Sequence, residues 1–366
     1  MIALNKPPRP AAAFAVDRAS LLARSAIKAA WWGAAGAAAR AIARPSRATP
    51  ADFAPAAEPA PPGFIRRAWL EAFEKDARDV AEGLYPAPSD GPIRPLRAIL
   101  EGADFLADAR RVEARRRRGG GGEAREDTPT PGAYPSYYRQ NFHFQTGGWF
   151  TRGSARRYEA QVEALFSGTA GPMRRRALSL LAKAWRGSDQ RELGIVDLAC
   201  GSGAFLKDLA GAFPRASLAG VDLSAAYLGE ARARSGVGAL VQANAERLPF
   251  ADGGLDAVTA VYLFHELPTA VRARVAREIA RVLRPGGLLA FADALQPADE
   301  PRLSRLLEAF PAYFHEPYFG SYGATNIAGL FGDAGLVVVA RDRAFLTKAI
   351  LLEKPRSMAA AQAPAT

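Results

Sequence analysis

The stretch that most constrains the fold is "GIVDLACGSGAFLKDLAGAF", residues 194–213, which predicts a short strand, a glycine-rich turn and the start of a helix. Four more strand-like runs follow it, separated by helix-like segments, near 217–221, 238–242, 255–261 and 287–293. This alternation predicts an α/β fold with a parallel sheet and helices on both faces. The closing "GLVVVARDRAFLTKAILLEKP" predicts two strands around a tight turn, which must run antiparallel.

Length and composition exclude several classes of protein. The 366 residues allow one large domain or two modest ones. The most alanine-rich stretch, 29–43, contains Arg40 and is too short for the roughly 18–20 apolar residues of a membrane span. The single cysteine, Cys200, cannot form an internal disulfide, which fits a cytoplasmic protein. With only three histidines besides, we predict no metal site of the usual zinc type.

The net charge of +11 lies N-terminal to the glycine turn. Residues 1–60 have eight basic and three acidic groups, and residues 137–190 have nine and three. We predict that residues 1–60 form a disordered tail rich in Ala, Pro and Arg. An organelle presequence and a basic arm touching a membrane surface are the alternatives.

Four further segments complete the predicted organisation. Apolar spacings of three and four residues predict helices within 61–133, followed by a flexible linker at "RRRRGGGGEAREDTPTPG". Residues 134–190 form an aromatic and basic helical cap, residues 191–355 the ligand-binding domain, and residues 356–366 a tail.

The glycine turn is a poor match for a phosphate-linked cofactor. A dinucleotide fold requires a third small residue, but Leu206 stands there, and the Gly-Lys-Ser/Thr of a P-loop is absent. S-adenosylmethionine has no phosphate and needs a close backbone approach with an acid near its amine. Asp197 supplies the acid, and Asp222, 19 residues after Gly203, can accept hydrogen bonds from the ribose hydroxyls.

Residues 194–294 resemble the core of class I S-adenosylmethionine-dependent methyltransferases, and most of all the small-molecule type that includes the ubiquinone/menaquinone C-methyltransferases. The matching motifs, in order, are "VDLACGSG", "GVDLS", "NAERLPF", "LDAVTAVYLFHEL" and "VLRPGGLLAF". The resemblance implies a Rossmann-like seven-stranded sheet of order 3-2-1-4-5-7-6 with strand 7 antiparallel, here preceded by a helical region. Ala199 departs from the usual glycine, and Asn244 from the usual aspartate.

The resemblance implies S-adenosylmethionine as cofactor. The residues expected to hold it are Asp197, Ala199, Gly201, Gly203, Asp222, Leu223, Asn244, Ala245 and Tyr262. Each polar member has a structural alternative: Asp222 as a helix N-cap, Asp197 as a core residue, and Asn244 as an ordinary loop residue.

The segment "AVYLFHELP", residues 260–268, ends the fourth strand, where the methyl group lies in this fold. Tyr262, His265 and Glu266 are candidates to line the acceptor pocket, and His265 is the best candidate base because imidazole titrates near neutrality. His143 is a further catalytic candidate. The alternative is that His265 packs against the cofactor or caps the next helix.

Two segments hold 12 of the 34 aromatic residues: residues 134–150, the first aromatic segment, and residues 311–323, the second aromatic segment. Neither has helix or strand periodicity. We predict that both close over an apolar, aromatic, quinone-like or lipid-like acceptor. The lid residues are Tyr138, Phe142, His315, Tyr318 and Tyr322. Alternatively, these rings only seal helices onto the sheet.

The predicted function is methyl transfer to a small-molecule acceptor. The pI near 10 keeps an RNA-directed methyltransferase as an alternative, although no Asp/Asn-Pro-Pro-Tyr/Phe motif follows the fourth strand. A non-catalytic binding module of the same fold is the other alternative. The oligomeric state cannot be predicted from these patterns.

Overall fold

The computed structural model describes residues 17–43, 54–88, 95–130 and 132–356. Its centre is a seven-stranded sheet of order β3-β2-β1-β4-β5-β7-β6, in which β7 runs antiparallel to both neighbours. The strands are β1 Gly194–Leu198, β2 Ser217–Asp222, β3 Ala239–Gln242, β4 Leu255–Val261, β5 Leu283–Ala294, β6 Val337–Ala344 and β7 Thr347–Glu353. The predicted sheet order and its antiparallel strand are confirmed.

Helices cover both faces of this sheet because apolar residues occupy both sides of each central strand. The helices that follow the first strands are α6 Ala204–Ala212, α7 Ala225–Ser235, α8 Thr269–Val282, α9 Ser304–Tyr313, α10 Phe319–Gly323 and α11 Ile327–Asp333. In β1, Ile195 packs with residues of α6 and α7, whereas Val196 packs with residues of α8 and α11. The side chain of Asp197 therefore shares a face with Ile195.

In the described ranges before the sheet, the α-helices are α1 Arg18–Ala43, α2 Phe64–Ala81, α3 Pro95–Arg117, α4 Arg152–Leu165 and α5 Ala170–Ala184. The last of them belongs to the core of the sheet, since Leu178 and Leu181 share a buried cluster with Ile195. The helices predicted within 61–133 and 134–190 are confirmed. No helix among the described residues is long and apolar enough to cross a bilayer.

The prediction of a disordered tail is wrong for Arg18–Ala43, which form α1. Trp32 packs with Ala160 and Ala164 of α4, and Lys28 forms a buried ion pair with Glu163, Nζ to Oε1 2.9 Å. Small apolar residues at helical spacing form the face that packs, so an alanine-rich composition concealed an ordinary amphipathic helix. The rest of the predicted N-terminal tail up to residue 53, and the C-terminal tail beyond residue 356, lie outside the described residues.

The flexible linker predicted after α3 is also wrong, because this segment is packed. Arg115 donates to the carbonyl of Phe144 at 2.6 Å and to Oε2 of Glu123 at 2.7 Å, and Ala124 is fully buried. A Cβ on Gly121 would lie 2.3 Å from the His315 ring. Glycine here permits close contact and does not signal flexibility.

The second aromatic segment is not the irregular loop that its sequence predicted. The end of α9 and the whole of α10 lie within it, joined by residues 314–318. In the first aromatic segment only single turns form, at Ser136–Tyr138 and Phe142–Phe144.

Candidate cofactor and acceptor site

A pocket opens at the carboxyl ends of β1, β2 and β4, where a parallel sheet of this order reverses its direction of winding. Residues of the glycine turn form its floor, and aromatic residues from outside the sheet form its roof. The lining includes Tyr137, Tyr138, Phe142, Trp149, Tyr158, Glu159, Arg174, Asp197, Ala199, Gly201, Asp222, Leu223, Tyr227, Asn244, Ala245, Tyr262 and Glu266.

Asp197, in β1, presents one unpaired carboxylate oxygen. Its Oδ1 accepts a hydrogen bond from Thr259 Oγ1 at 2.6 Å, whereas its buried Oδ2 has no partner among the described residues. Burial raises the pKa of Asp197 to about 7. An uncompensated buried carboxylate oxygen is costly, so this atom is suited to a cationic ligand group.

The glycine turn uses three residues in the left-handed backbone region, with φ of 55° at Ala199, 54° at Gly201 and 78° at Gly203. Ala199 therefore adopts a conformation that glycine reaches without strain. Gly203 does not line the pocket. A Cβ there would lie 2.7 Å from Cα of Ala231, so its role is the close approach of α6 to α7.

Asp222, at the end of β2, lines the pocket and connects the glycine turn to β2. Oδ2 accepts from the Gly201 amide at 2.8 Å, and Oδ1 accepts from the Ser224 amide at 2.7 Å. The N-cap of α7 is Ser224, whose Oγ accepts from the Tyr227 amide, so the N-cap alternative for Asp222 is wrong. Burial raises the pKa of Asp222 to about 6.

Asn244 follows β3 and lines the pocket beside Ala245. Its side chain is used locally: Oδ1 accepts from the Glu246 amide at 2.9 Å, and Nδ2 donates to Glu246 Oε1 at 3.3 Å. Glu246 also accepts from Tyr137 Oη at 2.7 Å, which joins this loop to the first aromatic segment.

The first aromatic segment lies over the residues expected to hold the cofactor. Tyr138, Phe142 and Trp149 line the pocket, and Ser224 Oγ donates to the carbonyl of Trp149. We predicted that this segment covers only the acceptor. In the structure it also lines the side of the pocket that the glycine turn forms. Ring packing around Trp149 and Tyr227, with centroids 5.2 Å apart, holds it there.

Gln140 joins the two aromatic segments. Its Nε2 donates to Tyr318 Oη, and its Oε1 lies beside His315 Nε2, both at 2.8 Å. Tyr322 is a core residue and not part of a lid: it is fully buried, and its hydroxyl donates to the carbonyl of Ala294 at 2.6 Å. For Tyr322, this position agrees with the alternative that the aromatic rings only pack helices against the sheet.

The three catalytic candidates differ in their access to the pocket. Tyr262 lines it, with φ of 56° and its hydroxyl 2.5 Å from Thr347 Oγ1. His265 and His143 do not line it. His265 Nδ1 lies 2.6 Å from Asp293 Oδ1, and this carboxylate outweighs the effect of burial and raises the pKa of the imidazole to about 9. Glu266, from the same motif, does line the pocket.

Sequence reasoning missed an ion pair in the pocket wall. Arg174 Nη1 of α5 lies 2.7 Å from Glu159 Oε2 of α4, and Ser202 Oγ of the glycine turn donates to Glu159 Oε1 at 2.7 Å. Burial alone would raise the pKa of Glu159, but Arg174 holds it below its usual range. The signal available was the run of three arginines in an otherwise apolar helix, "PMRRRALSLL".

Comparisons with known proteins agree with this architecture. The methyltransferase domain family matches residues 195–287. An uncharacterised methyltransferase, sll0829 of Synechocystis sp. (strain PCC 6803), is 31% identical over 148 residues, which are 40% of this chain and 67% of that protein. The ubiquinone/menaquinone biosynthesis C-methyltransferase UbiE of Desulfotalea psychrophila is 34% identical over 164 residues, covering 40% and 66%.

Other relatives match over shorter lengths. The malonyl-[acyl-carrier protein] O-methyltransferase of Legionella pneumophila is 40% identical over 26% of this chain and 34% of its own. The chain thus spans between about a third and two thirds of these curated relatives. A solved structure, magnesium protoporphyrin IX methyltransferase from Synechocystis PCC 6803, covers 51% of this chain and 84% of its own, with 18% identity and a TM-score of 0.37.

The sheet order, the pocket at its carboxyl edge and these relatives define a class I S-adenosylmethionine-dependent methyltransferase. The chain belongs to that family, and its similarity to UbiE agrees with the resemblance to the small-molecule type. Membership of this family makes S-adenosylmethionine the cofactor. The unpaired Oδ2 of Asp197 and the close-approach turn at Gly201 fit its cationic amino acid portion.

Proposed function

We propose that this protein transfers the methyl group of S-adenosylmethionine to a small, apolar or aromatic acceptor. The observation that carries the proposal is the unpaired, buried Oδ2 of Asp197 on the floor of an aromatic-lined pocket. A phosphate-linked cofactor would be repelled by that oxygen, whereas an ammonium or sulfonium group would be attracted to it.

In this proposal the chain's own residues bind and orient the two reactants. Asp197 accepts from the cofactor's amine, and the paired Arg174 is placed to attract its carboxylate. Asp222 accepts from the ribose hydroxyls with the lone pairs that its two amide contacts leave free. Leu223 and Ala245 supply apolar contacts beside the adenine.

When bound, S-adenosylmethionine would supply an activated methyl group for transfer to the acceptor. Tyr262, at the end of β4, would face the reacting atoms. Alignment of the two reactants supplies most of the rate enhancement, up to about 7–11 kcal/mol.

The aromatic roof favours a flat or apolar acceptor. Tyr138, Phe142, Trp149 and Tyr158 all line the pocket, and burial raises the pKa of Tyr138 and of Tyr158, so both hydroxyls stay neutral. Relatives of this chain are named as a ubiquinone/menaquinone biosynthesis C-methyltransferase and as a fatty-acid O-methyltransferase. We therefore propose a phenol, quinol or fatty-acid-like compound as the acceptor class.

The test uses methyl-labelled S-adenosylmethionine with panels of phenols, quinols and fatty acids, and detects labelled product by mass spectrometry. Calorimetry with unlabelled cofactor should show binding to the native protein and at least about tenfold weaker binding to Asp197→Ala and Asp222→Ala, since each loses a hydrogen bond to a charged group. Asp252→Ala, whose side chain is 82% exposed outside the pocket, is the matched control. Native protein that binds no cofactor would refute the proposal.

A further inference from the structure

Two of the chain's three histidines meet a buried carboxylate behind the cofactor pocket. His143, His265 and Glu316 each offer one ligand atom, and these atoms lie within 4.8 Å of one another. We infer that this trio binds one divalent transition-metal ion of the zinc class. None of the three residues lines the cofactor pocket, so the inference does not rest on the proposed methyl transfer.

The three ligands come from three distant parts of the chain. His143 lies in the first aromatic segment, His265 follows β4, and Glu316 lies between α9 and α10. Two of the side chains are buried, since His265 and Glu316 are 7% and 5% exposed, and the side chain of His143 is 20% exposed. An ion here would fasten the first aromatic segment to the sheet.

His265 is held in the orientation that metal-binding histidines adopt. Its Nδ1 lies 2.6 Å from Asp293 Oδ1. Asp293 itself is fixed, since its Oδ2 accepts from the Phe264 amide at 2.8 Å and its Oδ1 from the Ala294 amide at 2.7 Å. Nδ1 therefore carries the donated proton, and Nε2 is left for a ligand. A carboxylate behind the imidazole is the common outer contact of a metal-bound histidine.

Glu316 provides the second, independent observation. Both of its carboxylate oxygens are buried, and Oε2 has no hydrogen-bond partner in the part of the chain that the structure describes. Oε1 lies 2.6 Å from Nε2 of His143. A buried carboxylate left in this state is costly, and a cation bound between the two side chains removes the cost.

The backbone of His143 supports the same conclusion. Its φ of 56° is followed by a φ of 54° at Phe144, two consecutive left-handed residues that are not glycine. Such strain persists where surrounding contacts enforce it, and it concentrates at ligand sites. Here it directs the His143 imidazole towards Glu316 and between the rings of Trp149, Phe310 and Phe314.

The donor set selects the kind of ion. Two imidazole nitrogens and one carboxylate oxygen suit zinc, iron(II) or cobalt, whereas magnesium and calcium prefer sites made of oxygen alone. A further carboxylate on the Nε2 side of His265 is Glu266, whose Oε1 lies 3.9 Å from that nitrogen and whose side chain also lines the cofactor pocket.

The first test measures metal in the full chain, purified without a metal-binding tag. After dialysis against chelator, zinc chloride is titrated in competition with a chelating dye, and magnesium chloride serves as the oxygen-preferring comparison. We expect one zinc ion per chain, a rise in the melting temperature with zinc, and neither effect with magnesium at the same concentration. Cobalt(II) and iron(II) are titrated in the same way, and failure of the native chain to bind any of the three ions would overturn the proposal.

Variants then locate the ion. His143→Ala and Glu316→Gln should each weaken zinc binding by more than about a hundredfold, and Asp293→Asn by about 10–100-fold. His315→Ala is the matched control, because this third histidine contacts Gln140 and lies outside the trio. Equal weakening by His315→Ala would mean adventitious binding and would reject the site. Glu316→Gln keeps the size of the side chain, so it remains a test if His143→Ala does not fold.

Discussion

Asp76 of α2 and Arg175 of α5 form a two-point ion pair that is almost wholly buried, with Nε to Oδ1 at 2.7 Å and Nη2 to Oδ2 at 2.8 Å. Arg175 also reaches Asp208 of α6 at 3.0 Å. The arginine therefore ties the N-terminal helices to the helix that follows the glycine turn. Some of the basic side chains of residues 137–190, such as Arg174 and Arg175, therefore form buried ion pairs within the protein.

Asp76→Ala should destabilise the protein by about 3–5 kcal/mol, because it leaves a buried guanidinium without its main partner. Urea unfolding followed by circular dichroism measures the change. Asp252→Ala breaks an exposed pair with Arg281 and should change stability by no more than about 1 kcal/mol. Equal effects of the two variants would contradict the structural role of Asp76.

Cofactor affinity should rise with pH between about 5.5 and 7.5 and then level off. Burial raises the pKa of Asp222 to about 6 and of Asp197 to about 7, so both carboxyls take up protons in mildly acidic solution. A protonated carboxyl attracts a cationic amine less, and binding of the amine must release that proton. Each group contributes at most about a tenfold change per pH unit below its pKa.

Calorimetry across this pH range checks the sign. Asp197→Asn should bind more weakly at pH 7.5 and lose the part of the pH dependence that lies nearest to pH 7. A native affinity that falls as pH rises would show that neither carboxyl acts as proposed.

Gly203→Ala should destabilise the chain by about 2 kcal/mol or more. The added Cβ would meet Cα of Ala231 at 2.7 Å and would force alanine into a left-handed backbone with φ of 78°. Gly229 lies within α7 with open space around its Cα, so Gly229→Ala should stabilise by about 0.5–1 kcal/mol. Thermal unfolding of Gly203→Ala and Gly229→Ala compares one substitution in two environments. If both variants changed the melting temperature in the same direction, the close-approach argument would be refuted.

Gln140→Ala should loosen the first aromatic segment without unfolding the sheet. The substitution removes the contacts to Tyr318 and His315, each worth about 1 kcal/mol. Hydrogen exchange in residues 134–150 should become roughly tenfold faster or more, and cofactor affinity should fall because Tyr138 covers the pocket. Tyr134→Phe, which removes one exposed contact to Gln242, is the control expected to leave exchange nearly unchanged.

Local patterns were sufficient for the alternation of strands and helices and for the glycine turn, whereas the strand order came from the family resemblance. Strands with apolar residues on both faces, separated by helices, have few ways to pack, and the turn at Gly201 is a property of consecutive residues. Asp197 and Asp222 could be selected because Asp197 lies one residue before the end of β1 and Asp222 ends β2. The sequence could not show that Gly203 and Gly201 have different roles. Only the tertiary structure shows that Gly203 packs against Ala231 and does not line the pocket.

The sequence by itself determined the order of strands and helices, the family and the floor of the cofactor pocket, because these depend on residues close together in the chain. The tertiary structure alone decided that α1 packs against α4, that Arg174 pairs with Glu159, and that His143, His265 and Glu316 converge. Those contacts join residues up to 173 positions apart, and composition and spacing carry no record of such pairs. Long-range packing is fixed only when the whole chain buries its apolar surface at once.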